Sequence, residues 1–169
     1  MTTDTIIKRM AKAYYQVLTA LKPVMQKNED IKTGIKEGLG KFLSNIYIRL
    51  SENGKRDTDY YSSEALKHID DGTPLVFEHI VPKARYIQEP CLNACLNGNF
   101  EDGTSFSEEE IEKLLVKYWK IATVTKEEDD LLLKRKMPDG WQVDDNVFAR
   151  YKEAKITLFD KRGNEVNYE

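Results

Sequence analysis

The sequence predicts an α+β protein in which a helical N-terminal region precedes a region that mixes short strands with helices. Three observations support this fold class. Apolar residues recur at helical spacing through the N-terminal part of the chain, and the period then changes to short, β-branched runs at residues 75–81 and 121–125. A chain of 169 residues suits one core, with a helical region at 1–58 and an α+β domain at 59–169.

Charge is unevenly distributed along the chain, although the net charge is only −3. Residues 1–60 hold eleven Lys and Arg against seven Asp and Glu, and residues 61–169 hold fifteen against twenty-two. A basic arm that contacts phosphates and a solvated helix face both fit this pattern, and we favour the solvated face. The sequence shows neither a secretory signal nor a membrane span, so we expect a cytoplasmic protein without membrane contact.

Two amphipathic helices make up the predicted N-terminal region. The first covers residues 2–26, where Pro23 should end or kink it, and the second covers 31–50, where Gly38 and Gly40 weaken its middle. We expect the two helices to pack as a hairpin. Their surface could form a homodimer interface or a DNA clamp, and the apolar stripe does not distinguish these roles.

Turn signals and changes of period define the remaining elements. In chain order they are a loop at 51–59, a helix at 62–70, a strand at 75–81, a helix at 84–95 broken by Pro90, a helix opened by a capping box from Ser107 to Glu110, a strand at 121–125, a helix at 126–134, a helix at 146–155 and a strand at 156–159. The two main strands are therefore separated by a long helical insertion, and a helix follows the second strand.

The stretch LVFEHIVPKAR at residues 75–85 places a carboxylate and an imidazole side by side near the end of a strand. Glu78 and His79 lie within the apolar run, and Pro82 is consistent with the strand ending there. Adjacent strand residues point to opposite faces, so the two side chains can serve one centre only where the strand ends or bends. An ordinary polar strand end explains the same residues, and the second motif favours the functional interpretation.

Two segments carry a resemblance to a known family. FEHIVPK at 77–83 resembles the first motif of HNH, or His-Me finger, endonucleases, in which an acidic residue and a His end the first strand of a ββα-metal unit. IATVTKEEDDLLLK at 121–134 is similar to the second strand and the helix of that unit. The resemblance spans roughly residues 60–155 and extends to HNH-like proteins of bacteria and phages. It implies a ββα-metal-like core with a helical insertion between its two strands.

The resemblance implies a hydrolytic site with one divalent ion. His79 corresponds to the general base that takes a proton from water, and Glu78 corresponds to a metal ligand. The second ligand comes from the helix after the second strand, where Asp130 is our prediction and Glu127 and Asp129 are alternatives. Carboxylate ligands favour Mg²⁺ or Mn²⁺ over Zn²⁺. A solvated helix start explains the same acidic run without a metal.

The sequence departs from the family pattern at the residue that orients the base. The family has an Asn before the second strand, whereas Trp119 and Lys120 stand there in this chain, and Asn93 is a candidate substitute. Lys83 and Arg85 flank the first motif and are candidate phosphate contacts.

Two functions follow from these residues and this resemblance. The first is a metal-dependent DNA endonuclease or nickase with His79 as its base. The second is a catalytically degenerate HNH-like scaffold, for example of a phage or mobile element, that binds a host protein or DNA without cleavage. The acidic second region and the departures from the family pattern motivate the second function.

Overall fold

The structure, a computed structural model, describes residues 3–52, 54 and 57–168. It combines helices with a four-stranded sheet, which confirms the predicted α+β class. Residue 2 of the first predicted helix and residues 53, 55 and 56 of the predicted loop lie outside the described residues. Among the described residues, no helix has both the length and the apolar character needed to span a membrane.

The predicted elements occur in the predicted order along the chain. The helices are α1 (Thr3–Met25), α2 (Glu29–Gly38), α3 (Phe42–Leu50), α4 (Ser63–Lys67), α5 (Glu89–Asn97), α6 (Glu108–Tyr118), α7 (Lys126–Leu131) and α8 (Ala149–Glu153). The strands are β1 (Tyr60–Ser62), β2 (Val76–His79), β3 (Ile121–Val124) and β4 (Leu158–Asp160). The strand β1 was not predicted, because its three residues are too few to show an alternating pattern.

Contacts divide the chain into two compact units. The first comprises Met1–Asp57 and Ala84–Lys117, and the second comprises Thr58–Lys83 and Tyr118–Glu169. The chain first passes from the first unit to the second after residue 57. Residues 84–117 belong with the N-terminal helices, whereas the sequence-based division assigns them to the second region.

The predicted N-terminal helices form, with two differences in detail. Helix α1 continues through Pro23, and because Pro23 lies in the last turn, the hydrogen bond that its missing amide removes affects only the C-terminal end of the helix. The second predicted helix is divided into α2 and α3 by a 3₁₀ turn at Leu39–Lys41. This turn lies at Gly38 and Gly40, where the low helix propensity of glycine favours a change of geometry.

The sheet of the second unit has the strand order β2-β3-β1-β4. Strands β2 and β3 pair antiparallel, so that Glu78 lies opposite Ala122 and His79 lies opposite Ile121. Strand β1 runs parallel to β3 and antiparallel to β4. The hydrophobic core of this unit includes Ile80, Ala122, Val124, Leu132, Tyr151, Ile156 and Leu158.

Strand β2 ends at His79 because the chain then turns into the core. The amide of Ile80 still donates to Lys120 O over 2.9 Å, but the side chains of Ile80 and Val81 are both fully buried. Pro82 follows, and its lack of an amide prevents further pairing. The Glu78-His79 pair therefore stands at the end of a strand.

Helix α7 begins directly after β3, with Thr125 as its N-cap. The Thr125 hydroxyl accepts from the amide of Glu128, and the Glu128 carboxylate accepts from the amide of Thr125, which is a complete capping box. Ser62 Oγ donates to the same carboxylate over 2.5 Å. These bonds fix the start of α7 against β1, and they position the acidic residues of its first turns.

Candidate functional site

The imidazole of His79 packs against an indole ring at the end of α6. The two ring centroids lie 4.6 Å apart, and the planes of His79 and Trp119 meet at 71°. Nδ1 of His79 is buried and has no hydrogen-bond partner among the described residues. Trp119 therefore contacts the His79 imidazole through ring packing.

The environment of His79 keeps its imidazole neutral. Burial, followed by the positive charges of Lys83 and Arg150, lowers the pKa of His79 to about 3. Each of these causes disfavours the imidazolium form, either because it removes water or because it adds a like charge. At neutral pH the ring is therefore an unprotonated base with two cationic groups in its vicinity.

Glu78 forms an ion pair with a buried arginine of α8. Arg150 Nη2 donates to Glu78 Oε1 over 2.7 Å, and the Arg150 side chain is fully buried while that of Glu78 is 21% exposed. Arg150 Nη1 also donates to the backbone oxygens of His79, over 3.1 Å, and Ile80, over 3.4 Å. Arg150 therefore holds both the carboxylate and the backbone at the end of β2.

Asp129 is the buried acidic residue of α7, with only 11% of its side chain exposed. Its Oδ2 atom lies 2.7 Å from Nζ of Lys134 and 3.4 Å from Nζ of Lys126. Lys134 also donates to the backbone oxygen of Asp129. Two oxygens of one residue thus contact the same ammonium group.

Tyr151 adds a hydroxyl to the interior of this unit. Its Oη atom is buried without a hydrogen-bond partner among the described residues. Burial raises the pKa of Tyr151, and the negative charges of Glu78 and Asp129 raise it further. Both carboxylates are therefore electrostatic neighbours of a hydroxyl that is free to donate a hydrogen bond.

Asp130, the predicted second ligand, lies on the exposed side of α7. Its carboxylate is 2.6 Å from Nζ of Lys126 and is 59% exposed, and this pairing lowers the pKa of Asp130. Glu127 is exposed as well. Of the three acidic candidates in this helix, Asp129 is the buried one.

The remaining candidates fall in different units. Lys83 lies in the second unit with His79, and its charge contributes to the low pKa of that histidine. Asn93 is an exposed residue of α5 in the first unit. Arg85 also belongs to the first unit, where its guanidinium lies 5.7 Å from the ring centre of Tyr86.

The donors available for a metal ion are carboxylates. Within residues 3–52, 54 and 57–168, no three His, Cys, Asp or Glu side chains form a group that could hold an ion. Mg²⁺, however, commonly binds through one or two carboxylates and keeps several waters. The oxygens of Asp129 already hold a cationic ammonium group. Glu78 and Asp129 are both paired with cations of the chain, and the closed four-ligand set of a structural Zn²⁺ is not present among the described residues.

Arg150 contacts the predicted site but was not predicted from the sequence as one of its residues. A signal was available in the sequence FARY, where one charged residue stands between apolar neighbours. Charged side chains are mostly exposed, and those that are fully buried are almost always paired. The partner itself, 72 positions away in the chain, could not be inferred from that signal.

Comparisons of the chain with protein-family models, with curated proteins and with solved structures find no match.

Proposed function

We propose that the second unit is a metal-dependent nuclease of the ββα-metal type that hydrolyses phosphodiester bonds of DNA. The observation that carries this proposal is the succession of three elements. Strand β2, which ends in Glu78 and His79, pairs antiparallel with β3, and α7 with the buried Asp129 follows β3 directly. This is the strand, strand and helix order that the resemblance to HNH endonucleases implies.

His79 is the general base in this proposal. Its low pKa keeps it unprotonated at neutral pH, although a pKa of about 3 makes it a weak base in the free protein. A bound phosphate would bring negative charge close to Lys83 and His79, and negative charge favours the imidazolium form. Substrate binding would therefore raise the pKa of His79 towards the value that proton transfer from water requires.

Glu78 and Asp129 are the residues that would hold the divalent ion. When bound, Mg²⁺ or Mn²⁺ supplies stabilisation of the charge that develops on the phosphate during hydrolysis. Arg150 orients the Glu78 carboxylate through its 2.7 Å bond to Oε1. Lys83 supplies positive charge near His79, which suits it to contact a phosphate of the substrate.

Plasmid cleavage in the presence of Mg²⁺ or Mn²⁺ tests this proposal. The variant His79→Ala should lose cleavage while keeping a cooperative unfolding transition. His68→Ala is the matched control, because His68 is the other histidine of the chain and pairs at the surface with Asp71. We expect His68→Ala to cleave like the wild type.

Two results would count against nuclease activity. One is a wild-type protein that cuts neither DNA nor RNA with any divalent ion. The other is cleavage that persists unchanged in His79→Ala, since a contaminating nuclease would give the same result.

A second function is favoured by a specific observation about the same carboxylates. Glu78 is already paired with Arg150, and Asp129 is already paired with Lys134. A scaffold whose acidic residues are neutralised by its own cations can bind a host protein or DNA without cleaving it. In this case DNA binding or capture of a host protein should persist with EDTA present and in His79→Ala. A protein that shifts no DNA and recovers no partner in a pull-down would exclude this second function.

A further inference from the structure

Asp129 presents two oxygens to one ammonium group. Nζ of Lys134 lies 2.7 Å from Asp129 Oδ2 and also donates to the backbone oxygen of Asp129. A carboxylate oxygen together with a backbone oxygen is a common donor pair for hard cations. The ammonium group thus occupies the position that a divalent cation bound by these same two oxygens would take.

Lys126 does not have the same role. Its Nζ atom is 3.4 Å from Asp129 Oδ2 but only 2.6 Å from Asp130 Oδ1, so its main partner is the exposed Asp130. Removing the ammonium group of Lys134 would therefore leave Asp129 with Lys126 alone, which it shares with Asp130. The side chain of Asp129 is 11% exposed, and a buried carboxylate without a close counter-ion is unfavourable.

Lys134 is also able to leave Asp129 without disturbing α7. The helix ends at Leu131, and Lys134 lies in the irregular segment that follows. Its side chain is 48% exposed, so its ammonium group can be solvated by water after a change of rotamers. Tyr151 remains as a buried hydroxyl that has no hydrogen-bond partner among the described residues and is influenced by both Asp129 and Glu78.

We propose that Lys134 is a built-in counter-ion that competes with a divalent cation for Asp129 and so lowers the metal affinity of the site. This inference rests on the proposed function, because it takes Asp129 as a metal ligand. If the lysine occupies Asp129 in about nine of ten molecules, the apparent affinity for the cation is lower by about tenfold. Metal binding then requires that Lys134 be displaced.

Calorimetric titration with Mn²⁺ tests this competition in the full chain. Lys134→Met should bind Mn²⁺ about tenfold more tightly than the wild type. Lys136→Met is the matched control, since Lys136 lies in the same segment and pairs with the exposed Asp139 over 2.7 Å. The control should bind Mn²⁺ like the wild type, and adding Asp129→Asn to Lys134→Met should abolish the gain.

A second variant covers the case in which Lys134→Met does not fold. Lys134→Gln removes the charge but keeps a donor for Asp129, and its Mn²⁺-dependent rise in melting temperature should exceed that of the wild type. Unchanged or weaker Mn²⁺ binding in the folded Lys134 variants would overturn the proposal. So would a gain in affinity that survives the Asp129→Asn substitution.

Cleavage assays separate the failure of this inference from the failure of the proposed function. If the wild type cleaves DNA and the Lys134 variants bind Mn²⁺ with unchanged affinity, the proposed competition is wrong and the proposed nuclease activity stands. If the Lys134 variants bind Mn²⁺ more tightly through Asp129 but no form of the protein cleaves DNA, the proposed competition is supported and the proposed nuclease activity is wrong.

Discussion

Arg150 ties the carboxylate of Glu78 to the backbone at the end of β2. Its Nη2 atom donates to Glu78 Oε1 over 2.7 Å, and its Nη1 atom donates to His79 O over 3.1 Å. A fully buried guanidinium needs such partners because burial of an unpaired charge is strongly unfavourable. The position of the Glu78-His79 pair therefore depends on a residue of α8, far from it in the sequence.

Replacement of Arg150 by methionine should destabilise the second unit. Arg150→Met leaves Glu78 without its partner and two backbone oxygens without a donor, and we expect a loss of about 3 kcal/mol in the free energy of unfolding. This value is at the low end for buried pairs because Glu78 is 21% exposed and can regain water. Urea denaturation measures the loss.

Arg162→Met is the control for this substitution, since Arg162 is an exposed residue of the same unit. We expect it to change stability by less than about 0.5 kcal/mol. Equal stabilities of the Arg150 and Arg162 variants would show that the buried ion pair is not important for folding.

The two histidines should titrate at different pH values. Burial and nearby cations lower the pKa of His79 to about 3, whereas a hydrogen bond to the Asp71 carboxylate raises the pKa of the partly exposed His68. In NMR spectra recorded from pH 5 to 8, we expect the imidazole signals of His68 to shift and those of His79 to stay constant. A His79 midpoint near 6.5 would contradict the buried position of Nδ1.

The low pKa of His79 should make stability depend on pH. In the unfolded chain the imidazole has a pKa of about 6.5, so below this pH the unfolded state binds a proton that the folded state does not. The contribution of His79 to the free energy of unfolding is fully present above about pH 6.5 and is lost as the pH falls towards 3. The loss reaches at most about 1.4 kcal/mol per pH unit. Urea denaturation of wild type and His79→Gln should show a difference in slope between pH 4 and 6. Parallel curves would contradict this prediction.

The elements with long or strongly patterned sequences could be predicted, whereas the short strand β1 could not. The apolar stripe of α1 and the capping residues of α7 act locally, so they can be seen in the sequence. Strand β1 forms because Tyr60 and Tyr61 pair with β3 on one side and with β4 on the other. Those partners are remote in the chain, and three residues carry no pattern of their own.

The candidate site shows the same distinction between local and remote causes. Glu78 and His79 could be identified from their own neighbours, because the strand, the apolar pair and the proline are adjacent to them. The choice between Asp129 and Asp130 depends on which side of a helix of only six residues faces the core. Arg150 and its partner Glu78 are 72 positions apart in the chain, and the residues next to Arg150 do not indicate that Glu78 is its partner.

Removal of the N-cap of α7 should weaken the helix that carries Asp129. Thr125 is 4% exposed, and its hydroxyl accepts from the amide of Glu128 over 3.2 Å. Thr125→Ala should therefore lower the free energy of unfolding by about 1 kcal/mol. Thr73→Ala, at an exposed threonine of the same unit, should change it by less than about 0.5 kcal/mol. The free energies of unfolding are measured by urea denaturation, and equal losses in the two variants would contradict this prediction.

Asn substitutions in α7 should separate the two neighbouring aspartates. Asp129→Asn should reduce metal-dependent plasmid cleavage by at least about 100-fold, because even outer-shell partners of metal ligands account for roughly 10–100-fold. Asp130→Asn should cleave like the wild type, since Asp130 is 59% exposed and pairs at the surface with Lys126. Both changes remove one negative charge from the same helix, so a general effect of charge on DNA binding would affect the variants equally. Loss of cleavage in Asp130→Asn together with full activity in Asp129→Asn would instead support Asp130 as the second ligand.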